Sequence, residues 1–325
     1  MRNKAFAIAA LVLSVGFALS LTDLYKVQQR TLVVYTTPAL QSLLESLVVP
    51  RFRAETGVDV TLVYVSAGEQ YTRLRMSGGH PEADLFLHAS PLFLEKGSSD
   101  GLLLPFQITR NASVPPNFQR APVWYAFAWS PLVEVYNPAL PALPDLAFIN
   151  TTFGFPHPLL SNNGIYSVMF FENASRFSTA AGARALAHTV VQPVNARSNI
   201  LGVVDGAFQV TLGYEGVTLF YKNQSAPVKF DLPLLGGQRF LTPVVFSAGL
   251  VKGHPNPSAL DFIDFLFRDE IQSKVSVFYF RAVIPGFSDP AGGIPLPSPG
   301  VINLNYDWSQ WSTLESALPK YVVGG

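Results

Sequence analysis

The sequence contains no cysteine. That absence excludes disulfides, thiolate metal sites, cysteine nucleophiles and lipid attachment through an N-terminal cysteine. Charge is also scarce. Asp, Glu, Lys and Arg supply 14% of the chain, where about 25% is usual. The 22 basic and 22 acidic residues cancel, so no global field favours nucleic acid or an anionic membrane. The histidines, His80, His88, His157, His188 and His254, show no i,i+4 pairing for a metal. There is no G-x-S-x-G elbow, H-E-x-x-H helix, Walker A lysine loop or G-x-G-x-x-G loop. Nothing argues for an enzyme, a metal centre or a cofactor. Internal repeats and low-complexity tracts are missing too.

What is present begins with an export signature. Met1-Arg-Asn-Lys4 and the apolar run 5–21 have the form of a basic n-region and an h-region. The run is at the lower edge of what spans a bilayer, and Phe17-Ala-Leu-Ser20 is a weak cleavage site. A cleaved signal peptide and a retained membrane anchor over residues 1–29 both stay open. Either places the rest of the chain outside the cytoplasm, in a periplasm or at a cell surface. Four N-x-S/T sequons, at Asn111, Asn150, Asn173 and Asn223, agree with an exported surface, glycosylated or not.

The stretch 31–90 carries the plan of an α/β fold. Three β-branched or apolar runs, Thr31-Leu-Val-Val-Tyr-Thr36, Asp59-Val-Thr-Leu-Val-Tyr-Val65 and Ala83-Asp-Leu-Phe-Leu-His88, read as buried strands. Helices fall between them: Leu40, Leu43, Leu44, Leu47 and Val48 share one face of a helix over 39–56, which Pro50 should kink or divide and Gly57 should end. A shorter helix covers 69–76, and a third starts at Pro91. Each strand runs into a small hydroxyl-rich loop: Thr36-Thr37-Pro38, Ser66-Ala67-Gly68 and Ala89-Ser90-Pro91. In open α/β sheets ligands bind beyond the carboxyl ends of strands, so these loops should line a site.

Further on, Val123–Trp129 and Leu132–Tyr136 read as one long extended segment. Pro138, Pro141 and Pro144 then mark entry into a second lobe. There Ser161-Asn-Asn-Gly164 opens a helix, 180–191 is Ala-rich and reads as helical, Ser198 is a plausible N-cap, and 207–214 is a strand. Residues 243–251 form an apolar strand that returns the chain to the first lobe. An amphipathic helix follows over 257–276, and Trp308 and Trp311 in the Pro- and Gly-rich tail should cover the second lobe.

These fragments resemble, in order, the extracellular solute-binding proteins of ABC importers. The resemblance is carried by Leu32-Val-Val-Tyr-Thr-Thr37 with Phe52-Arg-Ala-Glu-Thr-Gly57, then Ser66-Ala-Gly-Glu69, Pro81-Glu-Ala-Asp-Leu85 and Tyr136-Asn-Pro138. It continues in Asp205-Gly-Ala-Phe-Gln-Val-Thr-Leu-Gly-Tyr-Glu215 and in Val251-Lys-Gly-His-Pro-Asn-Pro-Ser258 with Asp261-Phe-Ile-Asp-Phe265. It implies an α/β fold of the periplasmic-binding-protein type II class: two lobes, each with a central mixed sheet flanked by helices, joined by two crossing hinge strands. Lobe 1 would comprise 30–125 and 246–286, and lobe 2 would comprise 126–245 and 287–325. It also implies a monomer that holds one small ligand in the cleft and delivers it to ABC permease subunits. The branch resembles iron(III), phosphonate, thiamine and polyamine binders. Ferric members carry a tandem tyrosine pair where this chain has Tyr214-Glu215, and a histidine where it has Thr36-Thr37-Pro38. That departure puts iron in doubt.

The residues themselves suggest an anionic solute, because helix N-termini offer free N–H groups and partial positive charge. Candidate ligand contacts are Thr36, Thr37, Ser66 and Gly68, then His88 and Ser90 at the third loop. From the second lobe come Ser161, Asn163, Arg197, Ser198, Tyr214 and Glu215. Each has a plainer role: helix capping for the hydroxyl residues, a satisfied core position for His88, solvent for Arg197, and pairing with Arg197 for Glu215. Tyr214 is the position most expected in the cleft.

Overall fold

The computed structural model describes residues 31–323 apart from 254, 255 and 298. The export segment 1–29 therefore lies outside the described residues. Among those described, no helix is long and apolar enough to cross a membrane.

The β-branched run after Thr31 forms strand β1 (Leu32–Thr36). A helical run over 41–56 (α1) follows and leads to β2 (Val60–Tyr64). Then come α2 (Ala67–Met76), β3 (Leu85–His88) and α3 (Leu92–Ser99). β1 pairs in parallel with both β2 and β3. Pro50 does not break α1: the turns before it, Leu44–Val48, widen into a π-helix, which relaxes the ladder around a residue that has no N–H to donate. Gly57, at φ 73°, ends the helix in the left-handed region that glycine reaches freely.

Strand β4 (Trp124–Tyr136) is 13 residues long and belongs to both lobes. Lobe 2 then supplies β5 (Phe153–Gly154), α4 (Asn162–Ala174) and β6 (Thr189–Val191). After these come α5 (Ala196–Val204), β7 (Val210–Tyr214) and α6 (Glu215–Asn223). The chain returns along β8 (Pro243–Val251), followed by α7 (Ser258–Leu266). The sheet order is β2-β1-β3-β8-β4-β7-β5-β6. β8 pairs antiparallel with β3 from His88 inward and with β4 from Tyr125 to Pro131. Beyond Pro131, β4 changes partner and pairs with β7, starting at Leu132↔Tyr214. Thus β4 and β8 are the two crossing strands, and the Leu132 N–H donates to the Thr242 carbonyl at 2.9 Å where they pass.

Three expectations need correction. The Ala-rich stretch stops being helical at Ala187, because Thr189-Val-Val191 is β-branched and finds an open sheet edge at β5. The expected helix over 257–276 breaks after Leu266 into a short helix, Asp269–Gln272, and a 3-10 turn, Val275–Phe278. The tail does more than cover lobe 2. Trp308 packs on Tyr166 with ring centroids 6.0 Å apart, but Glu315 pairs with Lys96 of α3 in lobe 1. Tyr321 then returns to lobe 2, stacking on Phe155 at 5.4 Å.

Candidate functional site

The carboxyl ends of β1 and β2 face the start of α4, the start of α5 and the end of β7 across a cavity of ≈420 Å³. Thr37, Tyr64, Ser66, Ala67 and Glu69 line it from lobe 1. Ser161, Asn162, Asn163, Asn195, Ala196 and Tyr214 line it from lobe 2. Three helices therefore point their N-termini at one space. A helix leaves its first four N–H groups without partners inside the helix, and a cap takes one of them.

In lobe 1 the sequence Ser66-Ala-Gly-Glu69 places a hydroxyl three residues before a first-turn carboxylate. Ser66 Oγ accepts from the Glu69 N–H at 3.3 Å. The Glu69 carboxylate is turned to Arg73, at 2.7 Å, and so is neutralised on its own helix. Thr37 precedes a 3-10 turn (Pro38–Leu40) and makes no side-chain cap bond, which leaves its hydroxyl to the cleft. Tyr64 donates to Glu45 at 3.0 Å. Burial first, and then the Glu45 carboxylate, push its pKa well above the ordinary phenol value.

In lobe 2, Ser161 Oγ accepts from the Asn163 N–H at 3.2 Å and caps α4. Asn163 Nδ2 donates to the Leu212 carbonyl at 2.8 Å, which locks the side chain onto β7. The next residue must be glycine: a Cβ on Gly164 would lie 2.4 Å from the His157 carbonyl oxygen. Asn195 caps α5 by accepting from the Ser198 N–H at 2.8 Å. Tyr214 ends β7 at 1% exposure. Burial holds its pKa far above the ordinary phenol value, so it stays a neutral phenol. Among the described residues, Asn162 Oδ1, Asn163 Oδ1 and Tyr214 Oη are buried and have no hydrogen-bond partner.

The cleft thus brings together five of the twelve candidate contacts, Thr37, Ser66, Ser161, Asn163 and Tyr214. The other seven lie outside its lining. Thr36 is buried in β1, and its carbonyl accepts from Gln70. Gly68 lies between the lining residues Ala67 and Glu69 of α2 without lining the cavity itself, and a Cβ there would meet the Leu159 carbonyl of lobe 2 at 3.4 Å. His88 is fully buried between Phe86 and Phe93, with ring centroids 5.5 and 5.8 Å away, and burial pushes its pKa down to about 3. Ser90 turns inward and accepts from the Leu92 N–H. Arg197 reaches across to lobe 1 and donates to the Pro38 carbonyl at 3.3 Å and to Gln41 at 3.4 Å. Ser198 is not the N-cap of α5; it lies one turn inside and gives its N–H to Asn195, the actual cap. Glu215 does not pair with Arg197: Arg281 binds both its carboxylate oxygens, at 2.9 and 3.0 Å, with both side chains essentially unexposed. Lining residues that sequence reasoning passed over are Tyr64 and Asn195, while Asn162 lies within the Ser161–Gly164 helix start without being singled out there. Asn195 had a usable signal, because Asn caps as well as Ser. Tyr64 is half-buried in β2, and no feature of its run marks it as more than a strand residue.

Known proteins give a consistent picture. The chain matches the family described as bacterial extracellular solute-binding protein over residues 32–281. Among curated relatives, the iron uptake protein A1 of Synechocystis sp. is 30% identical over 89 residues, which is 27% of this chain and 25% of that protein's length. Two solved structures superpose on nearly the whole fold. The periplasmic binding protein AfuA of Actinobacillus pleuropneumoniae, with fructose-6-phosphate bound, gives a TM-score of 0.77 at 13% identity over 90% of this chain and 97% of its own. Iron-bound HitA of Pseudomonas aeruginosa gives 0.74 at 17% identity, over 90% and 99%. The two-lobe architecture, the crossing strands and the match over most of the chain make this protein a member of the bacterial extracellular solute-binding protein family.

Proposed function

We propose that the chain is the exported substrate-binding component of an ABC importer and captures a small anionic solute between its lobes. The observation that carries this reading is the convergence of three capped helix N-termini, at Ser66, Ser161 and Asn195, on one cavity shared by both lobes. Their partial positive charge favours an anion, and the carboxylate among the described lining residues, Glu69, is already paired with Arg73. A solute touching both walls stabilises the closed arrangement by its differential affinity for it. The closed form is then what permease subunits would bind. We take β4 and β8 as the hinge, with lobe 1 as 30–125 and 246–286 and lobe 2 as 126–245 and 287–325. On this reading the protein is a monomer without catalytic activity, tethered by or released from the segment 1–29, with the sequons on the exported face.

A second reading, ferric ion, is favoured by the likeness to the iron uptake protein and to HitA. Against it stands the lack of a second tyrosine beside Tyr214, since ferric sites need several anionic oxygens. Thermal unfolding against panels of small anions, cations and ferric salts tests both. The first reading expects a raised midpoint with anions and a smaller radius of gyration in solution scattering. A midpoint and radius that no solute changes would overturn it.

A further inference from the structure

The polar atoms left over in the cleft define the ligand more narrowly than its charge does. Asn163 is fully buried, and its Nδ2 is committed to the Leu212 carbonyl, so its Oδ1 remains as an acceptor aimed at a donor it does not have. Asn162, 8% exposed, also has an Oδ1 without a partner. Tyr214 Oη is the third such atom; the hydroxyl of its neighbour Tyr166 accepts from the Val245 N–H at 2.9 Å and makes no bond to it. All three residues line the cavity, and all three belong to lobe 2. A buried acceptor left unmet is costly, so a ligand that donates to it gains the difference.

A fully deprotonated oxyanion cannot donate to the carboxamide oxygens, and inorganic phosphate near neutral pH has its few O–H groups crowded on one phosphorus atom, so neither meets both Asn oxygens while also meeting the helix N-termini. A polyamine or ammonium group can donate, but it would sit against the positive ends of three helices. A group with both properties carries an anion for the helix N-termini and O–H donors for the carboxamide oxygens. Building on the solute-binding reading above, we propose that the cleft takes a hydroxylated organic anion, in which hydroxyls donate to Asn162 Oδ1 and Asn163 Oδ1 and bond to Tyr214 Oη while the anionic group meets the N–H groups at Ala67 and Ala196. The anionic group is a phosphate or a carboxylate; the hydroxyl-bearing part is the shared chemistry. On lobe 1 Ser66 is engaged as a cap and Tyr64 with Glu45, which leaves Thr37 as its one lining hydroxyl without a cap bond, so the hydroxylated part seats mainly on lobe 2 and lobe 1 closes over the anion.

Calorimetry on the purified protein tests this with inorganic phosphate, glucose, glucose 6-phosphate, gluconate and spermidine as probes. Glucose 6-phosphate or gluconate should bind at least tenfold tighter than phosphate or glucose, and which of the two prevails identifies the anion. Tyr214→Phe, which keeps the ring, should weaken that ligand about tenfold and leave phosphate unchanged. Asn163→Leu should weaken it more, with far-UV circular dichroism checking that the fold survives the loss of the Leu212 bond. Phosphate binding as tightly as either hydroxylated anion, or equal affinity in Tyr214→Phe, overturns the proposal. So does spermidine binding where both hydroxylated anions fail, although that result leaves the solute-binding reading standing. If no probe binds, the hydroxylated-anion assignment falls. The wider reading falls with it only if a mixed extract of cellular metabolites also leaves the unfolding midpoint unchanged.

Discussion

Lobe 1 and lobe 2 both present capped helix N-termini to the cleft, yet the polar groups that line its two walls are partnered to different degrees. On the lobe 1 wall the cap hydroxyl, the Tyr64 phenol and the Glu69 carboxylate all have partners within the lobe. On the lobe 2 wall three buried acceptor or hydroxyl atoms have none. Away from the cleft the contrast takes another form. Lobe 1 buries a neutral base, His88, and the lobe 2 part of β4 buries a neutral acid, Glu134. The difference is a division of labour, in which one wall, Thr37 apart, is partnered before the ligand arrives and the other is completed by it.

The largest expected effect concerns what holds the lobe 2 wall in place. Glu215 follows Tyr214 directly and fixes the start of α6 to Arg281, which pairs with the middle of β4 at Trp129. Glu215→Ala leaves a guanidinium 1% exposed with Asp289, the Ile294 carbonyl and the face of Trp129 as its remaining neighbours. Losing one member of a buried pair costs about 3–5 kcal/mol. Denaturant titration should show that loss, while ligand affinity of the remaining folded protein changes less than twofold. Intact stability with lost affinity would return Glu215 to the role of a ligand contact and erase the contrast between a structural and a binding carboxylate.

Next in size is the opposite pH response of the two lobes. His88 is held at about 3 by burial, and an unfolded histidine titrates near 6.5. Above pH ~6.5 both states are neutral and nothing is lost; as pH falls toward 3 the unfolded chain binds a proton that the folded chain refuses. Stability then drops by roughly 3 kcal/mol by pH 4. His88→Phe, which keeps a ring between Phe86 and Phe93, should flatten that acid limb. Glu134 behaves in reverse. Burial raises its pKa above the ordinary carboxylate value, only partly offset by the Leu234 N–H, so stability is full below the unfolded value of about 4.3 and is lost as pH rises. Glu134→Gln should stabilise at neutral pH and do nothing in acid. Unfolding midpoints between pH 4 and 8 for the two variants check the pair, and parallel shifts in both limbs would break the comparison.

Much of this was legible in the sequence, and the legible part follows one logic. The apolar β-branched runs of lobe 1, the hydroxyl loops after them and Gly57 announce their structure locally, and the long segment before Pro138 announces the crossing strand. Lobe 2 was harder because its strands are short: Phe153-Gly154 forms a strand only through pairing with β6 and β7. Among site residues, those whose role is local, such as Ser66 and Ser161, could be read from spacing. Those whose role depends on distant partners could not. Nothing near Glu215 in sequence names Arg281, and nothing near His88 shows that β8 closes over it.

The smallest effect separates the walls at their two glycines. Gly164 opens the lobe 2 helix against backbone: its Cβ would lie 2.4 and 2.5 Å from the His157 carbonyl oxygen and carbon, which no side-chain adjustment relieves. Gly164→Ala should therefore displace α4 from the cleft, costing about 1–3 kcal/mol and weakening ligand binding. Gly68 lies in the first turn of α2, and its only near neighbours are the Leu159 carbonyl at 3.4 Å and Phe93 Cζ at 3.8 Å. The first of these belongs to the opposite lobe, so it exists only when the cleft is closed. Alanine is the better helix former by about 0.5–1 kcal/mol, and 3.4 Å is a bearable contact. Gly68→Ala should thus raise the unfolding midpoint of the ligand-free protein slightly and leave affinity within a factor of about three. If it instead abolishes binding while the fold is unharmed, lobe 1 approaches the ligand more closely than its finished wall implies, and both walls would have to be counted as incomplete without it.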